Sequence, residues 1–125
     1  MDFERYTVVR VPFPFTDRDT SKNRPAVVLS HPHTFNTPAG HSVMAMITSQ
    51  ANAPWPLDCT LTDLDAAGLP AASKVRFKLF ALDNRLARGE LGKLASKDVA
   101  AVRAGLANLL GGEVLGADQS SVEPA

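Results

Sequence analysis

The sequence predicts a mainly β (α+β) fold, in which a small antiparallel barrel or rolled sheet is followed by one C-terminal helix. Two observations support this fold class. Short apolar runs of β-type composition alternate with clusters of turn residues through the first three quarters of the 125-residue chain. The last quarter instead carries apolar residues at helical spacing. The short runs and frequent turns argue against a parallel α/β fold.

Five strands are expected between the turn-forming segments. They are Thr7–Val11, Pro25–Ser30, Ser42–Thr48, Leu57–Leu61 and Ser73–Leu79. The segments that separate them include the charged loop Asp17–Asn23, the stretch His31–Gly40 and the proline-rich Asn52–Pro56, all rich in residues that end strands.

The first strand ends in two prolines, Pro12 and Pro14, and the second strand opens with Arg24-Pro25. Because proline cannot donate to a β-ladder, the end of the first strand is expected at a sheet edge or a barrel rim. The intervening polar loop then presents the Arg24 guanidinium at that rim. A rim arginine beside a polar loop is suited to binding phosphate and indicates RNA as the ligand.

The last quarter is predicted to form a helix that Ser96 caps and Gly111-Gly112 ends. Its apolar positions are Val99, Val102, Leu106, Leu109 and Leu110. This face is expected to cover an open side of the sheet. The chain is therefore predicted to form one domain over residues 1–112, with a disordered polar tail over residues 113–125.

Composition points to a cytoplasmic domain. The one cysteine, Cys59, fits a reducing compartment and is expected to be ordinary packing rather than a nucleophile. No apolar run is long enough to span a bilayer, and the N-terminus lacks the layout of a signal peptide. The formal net charge is +0, which disfavours binding of nucleic acid through bulk positive charge.

Local charge is less balanced than the total. Residues 74–88 carry several basic side chains but only one acid, Asp83, and the other acids, Asp58 among them, are expected to lie elsewhere. This asymmetry allows a basic face that follows RNA phosphates, or equally a strand with a solvated face.

Six short motifs follow one another along the chain. They are Val11–Asp17 (VPFPFTD), Lys22–Ser30 (KNRPAVVLS), Ile47–Ser49 (ITS), Ala67–Pro70 (AGLP), Leu79–Asp83 (LFALD) and Glu90–Leu94 (ELGKL). Each motif alone is a weak signature. Their order and spacing between Tyr6 and Leu110 together resemble the MazF/PemK toxins of bacterial toxin–antitoxin systems.

This resemblance implies an SH3-like antiparallel barrel of the MazF/PemK/CcdB type that works as a homodimer. It also implies an endoribonuclease, free of metal and cofactor, that cleaves single-stranded RNA at short sequences and is inhibited by a cognate antitoxin protein. In the family, the arginine before the proline of the second strand and the threonine ending the third strand form the catalytic pair. These correspond to Arg24 and Thr48.

Further residues are predicted to bind RNA. They are Asp17, Lys22, Ser49, Arg76 and Lys78. In cleavage by the 2′-hydroxyl, Arg24 is suited to stabilising charge on the phosphoryl oxygens, and Thr48 to bonding a phosphate oxygen or orienting the hydroxyl. Arginine is too weak a base to remove the 2′-proton, so the general base is left open between Asp17 and His41.

The chain departs from the family at two positions. Most members begin the first strand with Gly-Asp, where this chain has Tyr6-Thr7. One branch of the family has an Arg-x-Asp pair on the strand after the Gly-Leu-Pro turn. This chain has Arg76-Phe77-Lys78 there, so that carboxylate is absent.

Two further features have a structural and a functional interpretation. His31-Pro32-His33 resembles a metal clip but lacks the third and fourth ligands of a zinc site, so no metal is expected there. Trp55, between Pro54 and Pro56, is expected either to stack an RNA base or, preferably, to cap the barrel.

Two alternative functions stand beside the ribonuclease. The departures are compatible with a catalytically decayed module that still pairs with an antitoxin. Gyrase poisons share this barrel but act through a C-terminus ending in Trp-Gly-Ile, whereas this chain ends in Val122–Ala125. The gyrase hypothesis is therefore the weakest of the three.

Overall fold

A computed structural model describes residues 3–13 and 22–111, and its main feature is one six-stranded antiparallel sheet. The strands are β1 (Thr7–Phe13), β2 (Lys22–Val28), β3 (His41–Ser49), β4 (Cys59–Thr60), β5 (Ser73–Asp83) and β6 (Glu90–Lys93). Their order across the sheet is β4-β5-β3-β2-β1-β6. In the described residues β4 and β6 are not paired with each other, and the sheet curls into a half-barrel. The predicted mainly β fold with a C-terminal helix is confirmed.

Helical segments connect and cover the strands. They are α1 (Thr37–Ala39), α2 (Leu64–Ala67) and α3 (Ser96–Leu110), with a π-helical turn at Pro32–Asn36 and a 3-10 turn at Asn84–Leu86. The stretch predicted only to break strands at residues 31–40 is thus largely helical. Within the described ranges, no helix combines the length and the apolar character needed to cross a membrane. The predicted tail over residues 113–125 lies outside the described residues.

The sheet carries buried apolar residues on both faces. Successive strand residues point to opposite faces, so neighbouring residues enter different clusters. Val8 belongs to one apolar cluster and Val9 to another, and both are fully buried. Val102 and Leu106 of α3 pack into the Val8 cluster, as the helical spacing predicted. The helix comes so close at Gly105 that an added Cβ would lie 2.7 Å from the Phe77 ring.

The proline-containing end of β1 lies at a sheet edge, as predicted. Pro12 pairs with Asn23 of β2 on one side. On the other side β6 pairs only with Thr7, Val8 and Val9, so no strand faces Pro12 there among the described residues. The missing N–H of Pro12 therefore interrupts no ladder on that side.

Two predicted element boundaries are wrong. The strand expected over Leu57–Leu61 is reduced to Cys59–Thr60. Leu57 has a φ of 67°, and Asp58 N–H bonds back to the Trp55 carbonyl, so the chain turns there instead of extending. The N-cap of helix α3 is Ala95 rather than Ser96, and no side-chain capping hydrogen bond is made there.

The buried part of α3 is shorter than the run of apolar positions that the sequence places on one face of the helix. Leu109 and Leu110 are 40% and 45% exposed, whereas Val102 and Leu106 are buried. The last turn of the helix is therefore only partly covered by the described residues. Gly111, at a φ of 95°, ends it as predicted.

A bulge bends β5 at its middle. Leu79 pairs with Ala45 of β3, but the next pair is Arg76 with Met46, so Phe77 and Lys78 have no partners on β3. Bulges of this kind redirect side chains and are common beside functional sites. Here the bulge contains Lys78 and directly follows Arg76, two basic residues that were predicted to bind RNA.

Candidate nucleic-acid interface

Four of the predicted site residues line a single cleft of about 230 Å³. Its lining side chains come from β1, β2, β3 and β5: Phe13, Arg24, Met46, Ile47, Thr48, Arg76 and Lys78. The cleft lies at the sheet region where β1 ends and the β5 bulge begins. Residues separated widely in sequence thus meet because β2, β3 and β5 are neighbours in the sheet.

Arg24 presents an exposed guanidinium to this cleft. It pairs with Val11 across the β1–β2 ladder, immediately before Pro25, and its Cζ lies 5.9 Å from the centre of the Phe13 ring. This distance is within the range of a cation–π contact. None of the ion pairs among the described residues involves Arg24.

Thr48 lies on β3, opposite Lys74 of β5. Its hydroxyl oxygen accepts a hydrogen bond from the Asn52 side-chain amide. This bond orients the hydroxyl and leaves its proton free to be donated. No sequence motif indicated a role for Asn52, because the bond depends on the turn that follows β3.

Asp58 is the centre of a polar network beside the cleft. Its carboxylate accepts from Arg76 at 3.0 and 3.2 Å, forms a 3.1 Å ion pair with Lys74, and accepts from the Trp55 backbone N–H at 3.0 Å. Burial opposes the charged form, but the bonds from Arg76 and Lys74 outweigh it and lower the pKa of Asp58 to about 2. Asp58 is therefore a charged acceptor whose oxygens are already engaged.

This network corrects the charge analysis of the sequence. Asp58 was expected to lie away from the basic segment, yet it neutralises part of that segment's charge. Lys74 is only 4% exposed and also donates to the Asn52 carbonyl, so it does not contribute to an open basic face. The register that brings Cys59 and Val75 together also brings Asp58 to these cations.

The remaining predicted binding residues lie outside the cleft lining. Lys22 is exposed at the start of β2, opposite Phe13. Ser49 pairs with Ser73, and its hydroxyl accepts from the Ala51 N–H, which engages it in the turn after β3. Asp17 falls outside the described residues.

His41 is at the wrong end of β3 to be the general base. It pairs with Asp83 and borders a separate cavity of about 370 Å³ beside Arg85. Seven residues of extended chain separate it from Thr48, a span of roughly 20 Å at about 3.3 Å per residue. The hypothesis that His41 takes the 2′-proton in the same chain is therefore wrong.

Cys59, His31 and His33 show no feature of a nucleophile or of a metal site among the described residues. Burial raises the pKa of the Cys59 thiol, and nearby Asp58 and Asp98 raise it further, which disfavours the nucleophilic thiolate. The His31 Nδ1 accepts from the His33 N–H, an arrangement internal to the turn. Within residues 3–13 and 22–111, no three His, Cys, Asp or Glu side chains are close enough to hold a metal ion.

Comparisons with known proteins agree with this fold. The model of the family described as PemK-like, MazF-like toxin of type II toxin–antitoxin systems matches residues 4–110. A crystal structure of MazE–MazF (Form II) from Deinococcus radiodurans is similar with a TM-score of 0.67 at 25% identity, covering 89% of this chain and 97% of that chain. The Form III structure of the same complex has a TM-score of 0.69 at 26% identity and covers 89% of this chain and 98% of that chain.

A more distant likeness concerns the fold alone. An endoribonuclease in complex with its cognate antitoxin, from a mycobacterial species, has a TM-score of 0.68 at 15% identity and covers 88% of this chain and 94% of that chain. No curated protein sequence is a significant match. The family model spans all six strands and the helix that covers the sheet, so the match concerns nearly the whole described fold. The chain belongs to the PemK-like, MazF-like toxin family of type II toxin–antitoxin systems.

Proposed function

We propose that this chain is an endoribonuclease toxin that cleaves single-stranded RNA at short sequences without a metal ion. The observation that carries the proposal is the shared cleft, in which an exposed arginine without an acidic partner among the described residues faces an oriented hydroxyl. Arg76 and Lys78 add positive charge at the same place. This set of groups suits a phosphodiester better than a neutral ligand.

In the proposed reaction, the 2′-oxygen forms a bond to phosphorus while the bond from phosphorus to the 5′-oxygen breaks. The products are a 2′,3′-cyclic phosphate and a 5′-hydroxyl, which requires loss of the 2′-proton and delivery of a proton to the leaving oxygen. Arg24 stabilises the negative charge that builds on the phosphoryl oxygens, and the Thr48 hydroxyl donates to one of them.

The base that removes the 2′-proton is not assigned to a described residue. Asp58 is a poor candidate, because a carboxylate with a pKa of about 2 and engaged oxygens has little affinity for a proton. Of the two candidates from the sequence, Asp17 remains. Precise positioning of the 2′-hydroxyl also contributes to the rate without any base.

The toxin is further proposed to act as a homodimer in the cytoplasm and to be inhibited by a cognate antitoxin. The Deinococcus radiodurans structures support the second part, since two of the similar ones contain MazE together with MazF. Membership of a toxin–antitoxin family supports it as well.

The decisive experiment incubates purified, antitoxin-free protein with a long single-stranded RNA in EDTA and maps the cut ends. We expect discrete cuts that leave 5′-hydroxyls, and a loss of at least about 100-fold in the cleavage rate for Arg24→Ala, as when a transition-state hydrogen-bond donor is removed. Arg103→Ala, which removes an exposed arginine from α3, is the matched control and should cleave like the wild type.

Two outcomes would contradict the proposal. Equal cleavage by Arg24→Ala and the wild type would remove Arg24 from the mechanism, and cleavage that disappears in EDTA and returns with Mg²⁺ would refute metal independence. Intact RNA with a folded, dimeric sample would instead favour the catalytically decayed module. That alternative draws its support from the absence of an available base among the described cleft residues.

A further inference from the structure

Trp55 is the one tryptophan of the chain, and its ring lies at the surface beside the cleft. It is 43% exposed and belongs to neither apolar cluster, so it does not cap the core. A large aromatic ring left exposed at this level loses much of the free energy that burial would provide. Its position therefore invites a functional explanation.

The segment that carries Trp55 is held firmly to β5. Arg76 donates to the Ala53 carbonyl at 2.6 Å, Lys74 donates to the Asn52 carbonyl at 2.8 Å, and Asp58 accepts from the Trp55 N–H. Pro54 and Pro56 restrict the backbone on either side of the ring. The ring is thus pre-positioned, so a ligand need not order it on binding.

Two cations connect the ring to the cleft. Lys78 Nζ lies 4.5 Å from the centre of the Trp55 ring, and Arg76 Cζ lies 5.7 Å from it. Both side chains also line the cleft that contains Arg24 and Thr48. A ligand in the cleft that reaches Lys78 is therefore next to the tryptophan as well.

We propose that Trp55 is a stacking platform for one unpaired base of the RNA, and that Lys78 and Arg76 bind a phosphate adjoining that base. This inference rests on the proposed function for its substrate class. An aromatic ring combined with cations along a groove is how proteins bind single-stranded nucleic acid, because each base offers a π-face and each nucleotide a charge. The platform makes the segment after β3 part of the surface that binds the RNA.

The test measures binding of a 12-nucleotide RNA that contains the mapped cleavage site, with a 2′-O-methyl group blocking the nucleophilic hydroxyl. Because Trp55 is the sole tryptophan, its intrinsic fluorescence reports on this site alone. We expect RNA to quench that fluorescence in the wild type. By anisotropy of a labelled RNA, Trp55→Ala should raise Kd by about 5- to 100-fold, the effect typical of losing one stacked base.

Two variants control for other effects of the substitution. Trp55→Phe keeps an aromatic face and should stay within about threefold of the wild-type Kd. Phe35→Ala removes another exposed aromatic ring, 38% exposed on the Pro32–Asn36 turn, and should leave RNA binding unchanged. An RNA with one abasic nucleotide at the stacked position should bind wild type and Trp55→Ala equally weakly.

Each contrary result has a distinct meaning. If Trp55→Ala binds RNA as tightly as the wild type while the wild type cleaves RNA, the platform is wrong and the proposed function stands. If the wild type neither cleaves nor binds RNA, both proposals fall. If Trp55→Ala loses affinity only for the antitoxin, the ring belongs to a protein interface and the platform is refuted.

Discussion

Tyr6 shows how one residue accommodates a backbone position for which glycine is better suited. Its φ of 67° lies in the left-handed region, which costs a non-glycine residue roughly 1–2 kcal/mol. Glycine, which has no Cβ, adopts this angle without steric cost. The ring compensates by packing against the Val8 cluster and under the Arg5 guanidinium, 4.8 Å from its centre.

The phenolic oxygen of Tyr6 is buried and has no hydrogen-bond partner among the described residues. Removing it in Tyr6→Phe should therefore leave the free energy of unfolding unchanged or raise it by about 1 kcal/mol. Urea denaturation measures the change. Tyr6→Gly relieves the backbone but loses the ring, and should be less stable than the wild type by about 1–3 kcal/mol. A Tyr6→Phe variant destabilised by well over 1 kcal/mol would show that the hydroxyl has a partner.

Site residues that belong to a local sequence motif could be predicted, whereas those defined by long-range contacts could not. Arg24 and Thr48 were accessible from motifs, and the structure places both on the cleft. Asp58 was not, because its partners are 16 and 18 residues further along the chain and reach it only through the β4–β5 register. A carboxylate that neutralises two cations across a sheet has no local sequence signature.

At the scale of elements, periodicity predicted the interiors of strands and helices better than their ends. The burial of Val102 and Leu106 follows from the 3.6-residue repeat of α3. The same repeat includes Leu109 and Leu110, which are nevertheless exposed among the described residues. β6 was missed as a strand since its four residues, half of them glycine and leucine, pair with β1 through a bulge.

Asp98 ties the first turn of α3 to the segment after β4. The side chain is 1% exposed and accepts from the Thr62 N–H and hydroxyl and from the Asp63 N–H. Burial would raise the pKa of Asp98, but these hydrogen bonds outweigh it and lower the pKa below its ordinary value. The charged form is thus the one that the folded state favours.

The pH dependence of stability follows from this lowered pKa. Since the folded-state pKa of Asp98 is below the unfolded value of about 3.9, its contribution is complete above that value and is lost as the pH falls through the folded pKa. Asp98→Asn should cost about 1–3 kcal/mol at pH 7. Urea denaturation at pH 7 and pH 3 should show the gap between wild type and variant shrinking in acid.

Asp65→Asn, at an exposed carboxyl on α2, is the control for the Asp98 substitution. It should change stability by less than about 0.5 kcal/mol at either pH. If the difference in free energy of unfolding between wild type and Asp98→Asn stays constant from pH 7 to pH 3, the hydrogen bonds at Asp98 stabilise the fold independently of its charge.

At the scale of the whole molecule, a net charge of +0 requires the electrostatic part of any RNA affinity to come from a few local cations. Around the cleft these are Arg24, Lys78 and Arg76, the last shared with Asp58. Total charge says little about such a protein, because the sheet gathers these cations from two strands, β2 and β5, and one acid opposes them. The salt dependence of binding is the measurement that separates local from bulk charge.

Three phosphate contacts on a single strand predict a slope of about −2 when the logarithm of the binding constant is plotted against that of the salt concentration. The blocked RNA, titrated between about 50 and 300 mM KCl, gives this slope. Lys78→Gln should make it shallower by about 0.7, one contact's worth, whereas Lys97→Gln, at an exposed position on α3, should not change it. A slope of about −5 or steeper would mean that RNA binds across a far larger basic surface than the cleft. A slope near zero would mean that the cleft cations do not contact phosphate at all.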